Sequence, residues 1–185
     1  MWPSCLTLSG FLLIATQVSG TPCPRGFSHY YSHGRPTPGR TWPYEASCYK
    51  FFTDQRTWID SRRQCRALGG DLVSIETAGE QHHLETIIRI SQALQNPALT
   101  KWIHWGYWTS GTDAPREGTW TWAATGRPIT YQNWNRGEPN NHFEGNLSEN
   151  CLQMYYRAGW KWNDMICYTD MISYICETRA LPLRK

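Results

Sequence analysis

Oxygen-bearing side chains concentrate in three short clusters of the sequence. The first is the stretch 133–141, which reads Asn-Trp-Asn-Arg-Gly-Glu-Pro-Asn-Asn, and the others are the tripeptides 149–151 (Glu-Asn-Cys) and 162–164 (Trp-Asn-Asp). Calcium takes six to eight oxygens from carboxylates, amides and backbone carbonyls. The clusters offer hard oxygens rather than the soft ligands that zinc or copper prefers. We therefore predict a Ca²⁺ site formed by loops, which cysteines 151 and 167 would clamp together.

The first twenty residues predict a signal peptide. Residues 6–15 form a short apolar stretch, and Val18-Ser19-Gly20 offers small or compact residues for cleavage. The apolar run is too short to span a bilayer, and no later stretch reaches the necessary length. We expect a secreted, extracellular protein that does not insert into a membrane.

Cleavage after Gly20 changes the cysteine count. The full chain has seven cysteines, and removal of Cys5 leaves six. An even number in a secreted chain predicts three disulfides, for which fifteen pairings are possible by arithmetic. A zinc–thiolate cluster is the alternative, but the paired short spacings of zinc ribbons are missing.

Charge and motifs exclude two classes of function. The formal net charge of +3 is spread along the chain, which argues against a nucleic-acid partner. We find no Gly-x-Ser-x-Gly motif, no His-Glu-x-x-His motif, and no free cysteine with a plausible histidine partner. The carboxylates gather at the predicted ion, where they serve better as ligands than as an acid–base pair. We expect no enzymatic activity.

The elements that must position the clusters begin with two helices. After a leader without clear periodicity, residues 48–52 predict a strand, and Thr57 is an N-cap for a helix that ends at Gly69-Gly70. The apolar stripe of this helix is Trp58, Ile59, Cys65 and Leu68, and residues 71–75 then form an extended stretch.

The second helix has a clearer start. Thr77 and Glu80 form a capping box, and Asn96-Pro97 ends the helix. His82 and His83 are either metal ligands or a solvated pair; adjacent helical positions diverge around the axis, so we favour the solvated pair. The buried face comprises Leu84, Ile87, Ile88 and Leu94.

Short strands and long loops follow, so the pattern predicts an α+β fold. The predicted strands are 102–105, 119–122, 152–156 and 171–176. We divide the chain into a signal peptide (1–20), an N-terminal leader or hairpin segment (21–47), a main domain (48–179) and a short basic tail (180–185).

The mature chain resembles the C-type lectin-like domain family. The resemblance runs from Cys23-Pro24-Arg25-Gly26-Phe27 to Tyr174-Ile175-Cys176-Glu177, and it includes the Glu-Pro-Asn and Trp-Asn-Asp motifs described above. Trp102-Ile103 stands where the family has its Trp-Ile-Gly-Leu strand, although His104 and Trp105 depart from that pattern. The resemblance implies two helices packed on small antiparallel sheets, a long Ca²⁺-binding loop region, and disulfides. The implied pairs are Cys23–Cys48, Cys65–Cys176 and Cys151–Cys167.

The same resemblance implies the ligands of a principal Ca²⁺ ion. Five side chains, named at the end of this paragraph, and the backbone carbonyl of Asp164 would fill six of up to eight coordination positions on the ion. Two neighbouring hydroxyls of a sugar can fill the other two. The family's Glu-Pro bond is cis, so we expect a cis peptide bond at 138–139. The five residues are Glu138, Asn140, Glu149, Asn163 and Asp164.

The order of acid and amide in the motif implies the class of sugar. Glu138-Pro139-Asn140 resembles the pattern that the family uses for equatorial vicinal hydroxyls, as on mannose, N-acetylglucosamine and fucose. A possible auxiliary Ca²⁺ ion is also implied, although an amide replaces the more usual acid at position 150. Its side-chain ligands would be Asp113, Glu117, Asn141 and Asn150.

The loop between the two parts of the site is about three residues longer than in the mannose-binding pattern. His142 and Phe143 lie in it and would contact or block a sugar, and Asn146-Leu147-Ser148 is a glycosylation sequon beside them. We therefore add His142 to the expected carbohydrate-binding residues and Asn146 as an expected glycosylation site.

The resemblance implies a secreted, Ca²⁺-dependent, carbohydrate-binding protein. Its partners would be glycans on cell, microbial or matrix glycoconjugates. Because one such site binds a monosaccharide weakly, self-association would supply avidity. The alternative is a protein-interaction or matrix- and mineral-associated module in which Ca²⁺ only stiffens the loops.

Overall fold

The computed structural model describes residues 23–32, 46–94, 105–142 and 147–181. The predicted signal peptide with Cys5, the helix stop at Asn96-Pro97, residues 102–104, Phe143 and the sequon asparagine at 146 lie outside the described residues, as does most of the basic tail. In the described part the chain contains two α-helices, one short 3₁₀ helix (Tyr156–Ala158) and nine strands. The α+β class is therefore confirmed.

The helices are α1 (Trp58–Ala67) and α2 (Ala78–Leu94). The strands are β1 (His29–Ser32), β2 (Ala46–Arg56), β3 (Asp71–Leu72), β4 (Gly106–Thr112), β5 (Thr121–Trp122), β6 (Arg127–Pro128), β7 (Cys151–Tyr155), β8 (Trp162–Met165) and β9 (Ile172–Arg179).

Strand β9 lies at the centre of the sheet. It pairs antiparallel with β2 and β3, and parallel with β4. The β4 strand also pairs with β5 and β7, and β7 pairs in turn with β8. The N-terminal strand β1 pairs with β2, so this part of the predicted leader or hairpin segment is one strand of a hairpin.

Both helix starts follow from their caps. The Asp60 amide donates to Thr57 Oγ1 at 3.3 Å in α1, and the Glu80 amide donates to Thr77 Oγ1 at 3.1 Å in α2. The other half of the predicted capping box is wrong, because the Glu80 carboxylate accepts from the Glu76 amide at 2.9 Å and not from Thr77. Gly69 ends α1 with φ +83°, a conformation that glycine adopts without a steric penalty.

The predicted faces of the helices need correction. In α1, Ile59 and Leu68 are exposed, whereas Ser61 is fully buried. In α2, Leu84 and Ile88 are buried as expected, but Ile87 is only half-buried. His83 is not solvated like His82, because its ring lies 5.0 Å from the Tyr31 ring, measured between centroids. The strand β1 thus contacts α2 at this histidine.

The sequence prediction missed β4. All seven of its residues are buried, including the hydroxyl residues Thr109 and Ser110. Thr109 Oγ1 bonds the Leu152 carbonyl at 3.0 Å, and Ser110 Oγ lies 2.8 Å from Ser74 Oγ. A strand buried on both faces shows no alternation of polar and apolar residues, which is why its pattern was not visible.

Three disulfides staple the fold, and they are the pairs that the resemblance implies. Cys23 is bonded to Cys48, Cys65 to Cys176 and Cys151 to Cys167. The second joins α1 to β9 across a sequence separation of 111 residues, and the third joins the start of β7 to the chain after β8. That last bond ties together the two strands nearest the predicted Ca²⁺ ligands.

Candidate metal centre

The three oxygen-rich clusters lie side by side: Trp162 joins the loop 133–141 to β8, and the β7–β8 pairing adds the segment 149–151. The Trp162 amide donates to the Asn133 carbonyl at 2.8 Å, and the Asn135 amide donates to the Trp162 carbonyl at 2.8 Å. Asn163 and Asp164 follow Trp162 in β8, which pairs with β7. Glu149 comes two residues before β7. The loop, β8 and the start of β7 therefore carry all five predicted principal ligands.

Asp164 is the centre of this arrangement. Its side chain is fully buried, and its Oδ2 accepts from the Asn141 amide at 2.7 Å and from the Asn140 amide at 3.1 Å. Its backbone carbonyl accepts from Asn163 Nδ2. The carboxylate thus fixes the backbone of the Glu-Pro-Asn loop against β8.

The loop turns sharply at Glu138. The Glu138–Pro139 peptide bond is cis, as the resemblance implies, and Asn141 has φ +47°. Glu138 Oε2 is buried and makes no hydrogen bond within the described residues. The side-chain oxygen of Asn140 accepts from the backbone N–H of His142 at 2.6 Å. The side-chain oxygen of Asn141 accepts from the backbone N–H of Glu149 at 2.8 Å.

The acids of this cluster repel one another. Burial, with the nearby Asp164, raises the pKa of Glu138 to about 7 and that of Glu149 to about 7. Glu149 is 5% exposed. Within the described residues, no salt bridge includes either glutamate or Asp164. The cluster therefore has excess negative charge without a neighbouring side-chain cation.

The predicted auxiliary ligands lie next to this cluster. Asp113 is buried, and its amide donates to the Asn150 carbonyl at 3.3 Å. Its Oδ2 accepts from the Gly118 amide at 2.9 Å, while Asp113 Oδ1 and Asn150 Oδ1 are buried without a hydrogen bond in the described part. Burial first, and then neighbouring acids, raise the pKa values of Asp113 and Glu117.

These observations fit a bound cation chemically. Among the predicted ligands, three buried oxygens lack donors, on Glu138, Asp113 and Asn150, and such atoms are rare in folded proteins unless water or an ion satisfies them. In the part of the chain that the structure describes, however, no three His, Cys, Asp or Glu side chains form a group that could hold a metal. Asparagine oxygens and backbone carbonyls would have to complete any coordination shell.

Two residues support the site in ways that the sequence did not indicate. Trp162 is fully buried, and its indole ring packs edge-to-face against Trp122, Tyr131 and Trp134. Gln81 of α2 accepts from Trp162 Nε1 at 2.8 Å. The only sequence signal for Gln81 is its position one turn before Leu84, on the buried face of the helix.

A second group of carboxylates lies away from the loops. Glu80 accepts from Tyr49 Oη at 2.6 Å, and Glu177 accepts from Ser47 Oγ at 2.5 Å and from the Ser74 amide at 2.9 Å. Burial raises the pKa of Glu80 to about 8 and that of Glu177 to about 7, and the charge of Glu177 adds to the effect on Glu80. We call these two glutamates the buried acidic pair.

Comparison with known proteins decides the family. Residues 54–178 match the family model described as the lectin C-type domain. This chain belongs to the C-type lectin domain family. The family is non-enzymatic, in agreement with the motif analysis. In the described residues, no helix is both long and apolar enough to cross a membrane.

Individual relatives cover most of the chain. A perlucin-like protein of Mytilus galloprovincialis is 30% identical over 174 residues, which cover 92% of this chain and 94% of that protein. The crystal structure of the cow CD23 domain, obtained in the presence of an oligosaccharide, has a TM-score of 0.60 at 31% identity and covers 80% of this chain and 99% of its own. A complex of SPL-1 with GlcNAc has a TM-score of 0.55 at 28% identity, and the match covers 71% of this chain and 87% of SPL-1.

Proposed function

We propose that this protein is a secreted lectin that binds carbohydrate through a Ca²⁺ ion held by Glu138, Asn140, Glu149, Asn163 and Asp164. The observation that carries the proposal is the group of acids around the buried carboxylate of Asp164. Their raised pKa values and the Glu138 oxygen without a donor mark a site where a cation would lower the free energy.

The bound ion would supply coordination positions for two vicinal sugar hydroxyls. The protein's own part is to align the ligands: the amides of Asn140 and Asn141 bond Asp164 and hold the loop next to β8. Ligand oxygens that bond the ion also accept from the hydroxyls, and the asparagine amides donate to them. The order of acid at 138 and amide at 140 favours mannose, N-acetylglucosamine or fucose. His142 is exposed beside Asn140 and would contact the sugar.

Two relatives support carbohydrate as the ligand class. The crystal structure of the cow CD23 domain was obtained in the presence of an oligosaccharide, and the SPL-1 structure is a complex with GlcNAc. We extend that ligand class to this chain as part of the proposal. Glycans on cells, microbes or matrix are the expected partners, and association of domains would raise the avidity of single weak sites.

An auxiliary ion held by Asp113, Glu117, Asn141 and Asn150 forms part of the same proposal. Asp113 Oδ1 and Asn150 Oδ1 are the two buried oxygens that favour it. The charge of Asp164 also contributes to the raised pKa values of Asp113 and Glu117. The same carboxylate would therefore attract both ions. Their binding would then be linked.

The second candidate is a protein-interaction or matrix- and mineral-associated module in which Ca²⁺ only stiffens the loops. One contact favours it: Asn140 Oδ1 accepts from the His142 amide at 2.6 Å, so a principal ligand is already engaged by its own loop. Sugar binding would require this oxygen to coordinate the ion as well or instead.

A glycan-binding experiment separates the two candidates. The secreted protein is applied to immobilised mannose, fucose, N-acetylglucosamine and galactose, with Ca²⁺ and then with EDTA. The test variant exchanges acid and amide at the site, Glu138→Gln with Asn140→Asp. The control makes the same exchange at two exposed positions outside the ligand set, Asp170→Asn with Gln132→Glu.

We expect EDTA-sensitive retention on mannose-type sugars that the control keeps and the test variant loses or shifts towards galactose. A Ca²⁺-dependent rise in melting temperature without retention on any sugar would favour the interaction module. A melting temperature that does not change with Ca²⁺ would refute both the lectin and the Ca²⁺-stiffened interaction module.

A further inference from the structure

We propose that Gln81 of α2 is a positioning residue for the Ca²⁺ site. It holds the indole of Trp162 in place, and Trp162 in turn aligns the loop 133–141 with Asn163 and Asp164. The inference rests on the proposed function for its consequence in ion binding, while its structural part can be tested without any ion.

Gln81 is a buried amide whose polar atoms face the β7–β8 connection and its own helix. Its side chain is 3% exposed. Oε1 accepts from Trp162 Nε1 at 2.8 Å, and Nε2 donates to the Trp160 carbonyl at 3.0 Å and to Glu85 Oε1 at 2.9 Å. The first two bonds cross from α2 to the segment that leads into the metal ligands.

Trp162 transmits that contact in two directions. Its backbone amide and carbonyl bond Asn133 and Asn135, which begin the loop that contains Glu138. In the other direction, it is joined by one peptide bond to Asn163 and by two to Asp164. A shift of the Trp162 backbone would therefore move both halves of the ligand set relative to each other.

The indole has little freedom as long as its N–H is bonded. Its ring centroid lies 5.5 to 5.7 Å from those of Tyr131, Trp122 and Trp134, all edge-to-face. These contacts favour an edge-to-face arrangement, and they leave the indole N–H without a hydrogen-bond acceptor of its own. The hydrogen bond to Gln81 is directional, so it selects one orientation of the ring.

Removal of the acceptor would leave the Trp162 N–H buried without a partner. A buried unpaired donor is costly, so the ring would shift towards another acceptor. Ca²⁺–oxygen distances span only about 2.3–2.6 Å, and such a shift would spoil the ligand geometry more than it would harm the fold. Residues that orient metal ligands commonly change metal affinity by about 10–100-fold.

The test uses the full chain with Gln81→Met, which keeps the length of the side chain and removes its hydrogen bonds. The matched control is Ile88→Val or Ile88→Ala, whichever lowers the EDTA melting temperature by the same amount. Ile88 is buried on the same helix, 1% exposed, and lies two turns from Gln81. Calcium affinity is measured by calorimetry, and amide exchange at Asn140 and Asn141 is measured in EDTA.

We expect Gln81→Met to weaken Ca²⁺ binding by about tenfold or more and to accelerate exchange of the two asparagine amides that bond Asp164. The control should leave both within about twofold. In a Trp162→Phe background, which has no indole N–H, Gln81→Met should change both readouts less than in the wild type, because only the bonds to the Trp160 carbonyl and to Glu85 are still lost there.

Equal effects of Gln81→Met and the matched control on affinity and exchange would overturn the inference, since Gln81 would then contribute only to stability. Additive effects in the Trp162→Phe background would overturn it as well. If the wild-type protein binds no Ca²⁺, the proposed function fails, and the exchange rates in EDTA still decide whether Gln81 positions the loop.

Discussion

Replacement of Asp164 by asparagine should change stability in opposite directions with and without Ca²⁺. The asparagine has nearly the same shape, and its Oδ1 can take the place of Oδ2, which accepts the bonds from the Asn140 and Asn141 amides. The substitution therefore keeps the contacts that hold the loop to β8. What it removes is a charge that, after burial, raises the pKa values of Glu138 and Glu149.

The sign without Ca²⁺ follows from those pKa values. An acid whose pKa is raised on folding stabilises the fold below its unfolded pKa, and this stabilisation is lost as the pH rises through the folded pKa. At pH 7.5 the wild-type protein has therefore lost most of it, since both values are about 7. Burial is the larger cause and solvent screens the half-buried Glu138, so we expect Asp164→Asn to raise the EDTA stability by at most about 1 kcal/mol.

The sign with Ca²⁺ follows from linkage. Extracellular Ca²⁺ modules have dissociation constants of about 10⁻⁴–10⁻³ M, so 5 mM Ca²⁺ would stabilise the wild type by about 1–2 kcal/mol. For a domain of this size that corresponds to a rise in melting temperature of about 2–9 °C. The variant should lose most of this rise, because its central ligand is neutral.

The assay is thermal unfolding of both proteins at pH 7.5, in EDTA and in 5 mM Ca²⁺. Asp170→Asn is the control, since it removes the same charge from an exposed position outside the site. A variant that melts well below the wild type in EDTA would show that Asp164 stabilises the loop by its charge. A variant with an undiminished Ca²⁺ response would show that the ion binds elsewhere.

Three further outcomes are expected. In EDTA the free energy of unfolding should fall between pH 6 and pH 8.5 as the buried acidic pair ionises, since burial raises both pKa values; urea titrations that show a constant or rising value would contradict this. Gly111→Ala should cost about 1–3 kcal/mol by calorimetry, equally with and without Ca²⁺, because the new Cβ would lie 2.8 Å from Leu152 Cβ; a neutral effect would mean that the strand shifts freely. Replacement of both Cys151 and Cys167, 16 residues apart, by serine should lower the free energy of unfolding by about 3 kcal/mol and weaken Ca²⁺ binding. An unchanged Ca²⁺ affinity would show that the disulfide does not position the ligands.

The sequence predicted elements best where a local signal sets the boundary. The caps at Thr57 and Thr77 and the glycine at 69 act within one helical turn, and both helices begin where those residues indicate. Strand β4 could not be predicted in this way. Its buried hydroxyls are satisfied by Leu152 and Ser74, partners that only the folded chain brings near.

The predicted ligands show the same division. Glu138, Asn140 and Asp164 are recognisable because their oxygens stand in short motifs. In the structure, hydrogen bonds join the backbone amides of Asn140 and Asn141 to Asp164. Gln81 has no such motif. It lies 81 residues before Trp162 in the chain, and its amide becomes informative only when α2 packs against the turn before β8.

The central position of β9 has a consequence for biosynthesis. Three other strands require residues 172–179 as their partner, so the sheet cannot close while the ribosome still holds that segment. Until β9 emerges, the strands that pair with it would stay incompletely folded, with apolar surfaces available to chaperones. Cys65 would remain unpaired until its partner at 176 emerges. Premature termination anywhere before β9 should yield a chain that cannot complete its sheet and is degraded, however many of the predicted metal ligands it contains.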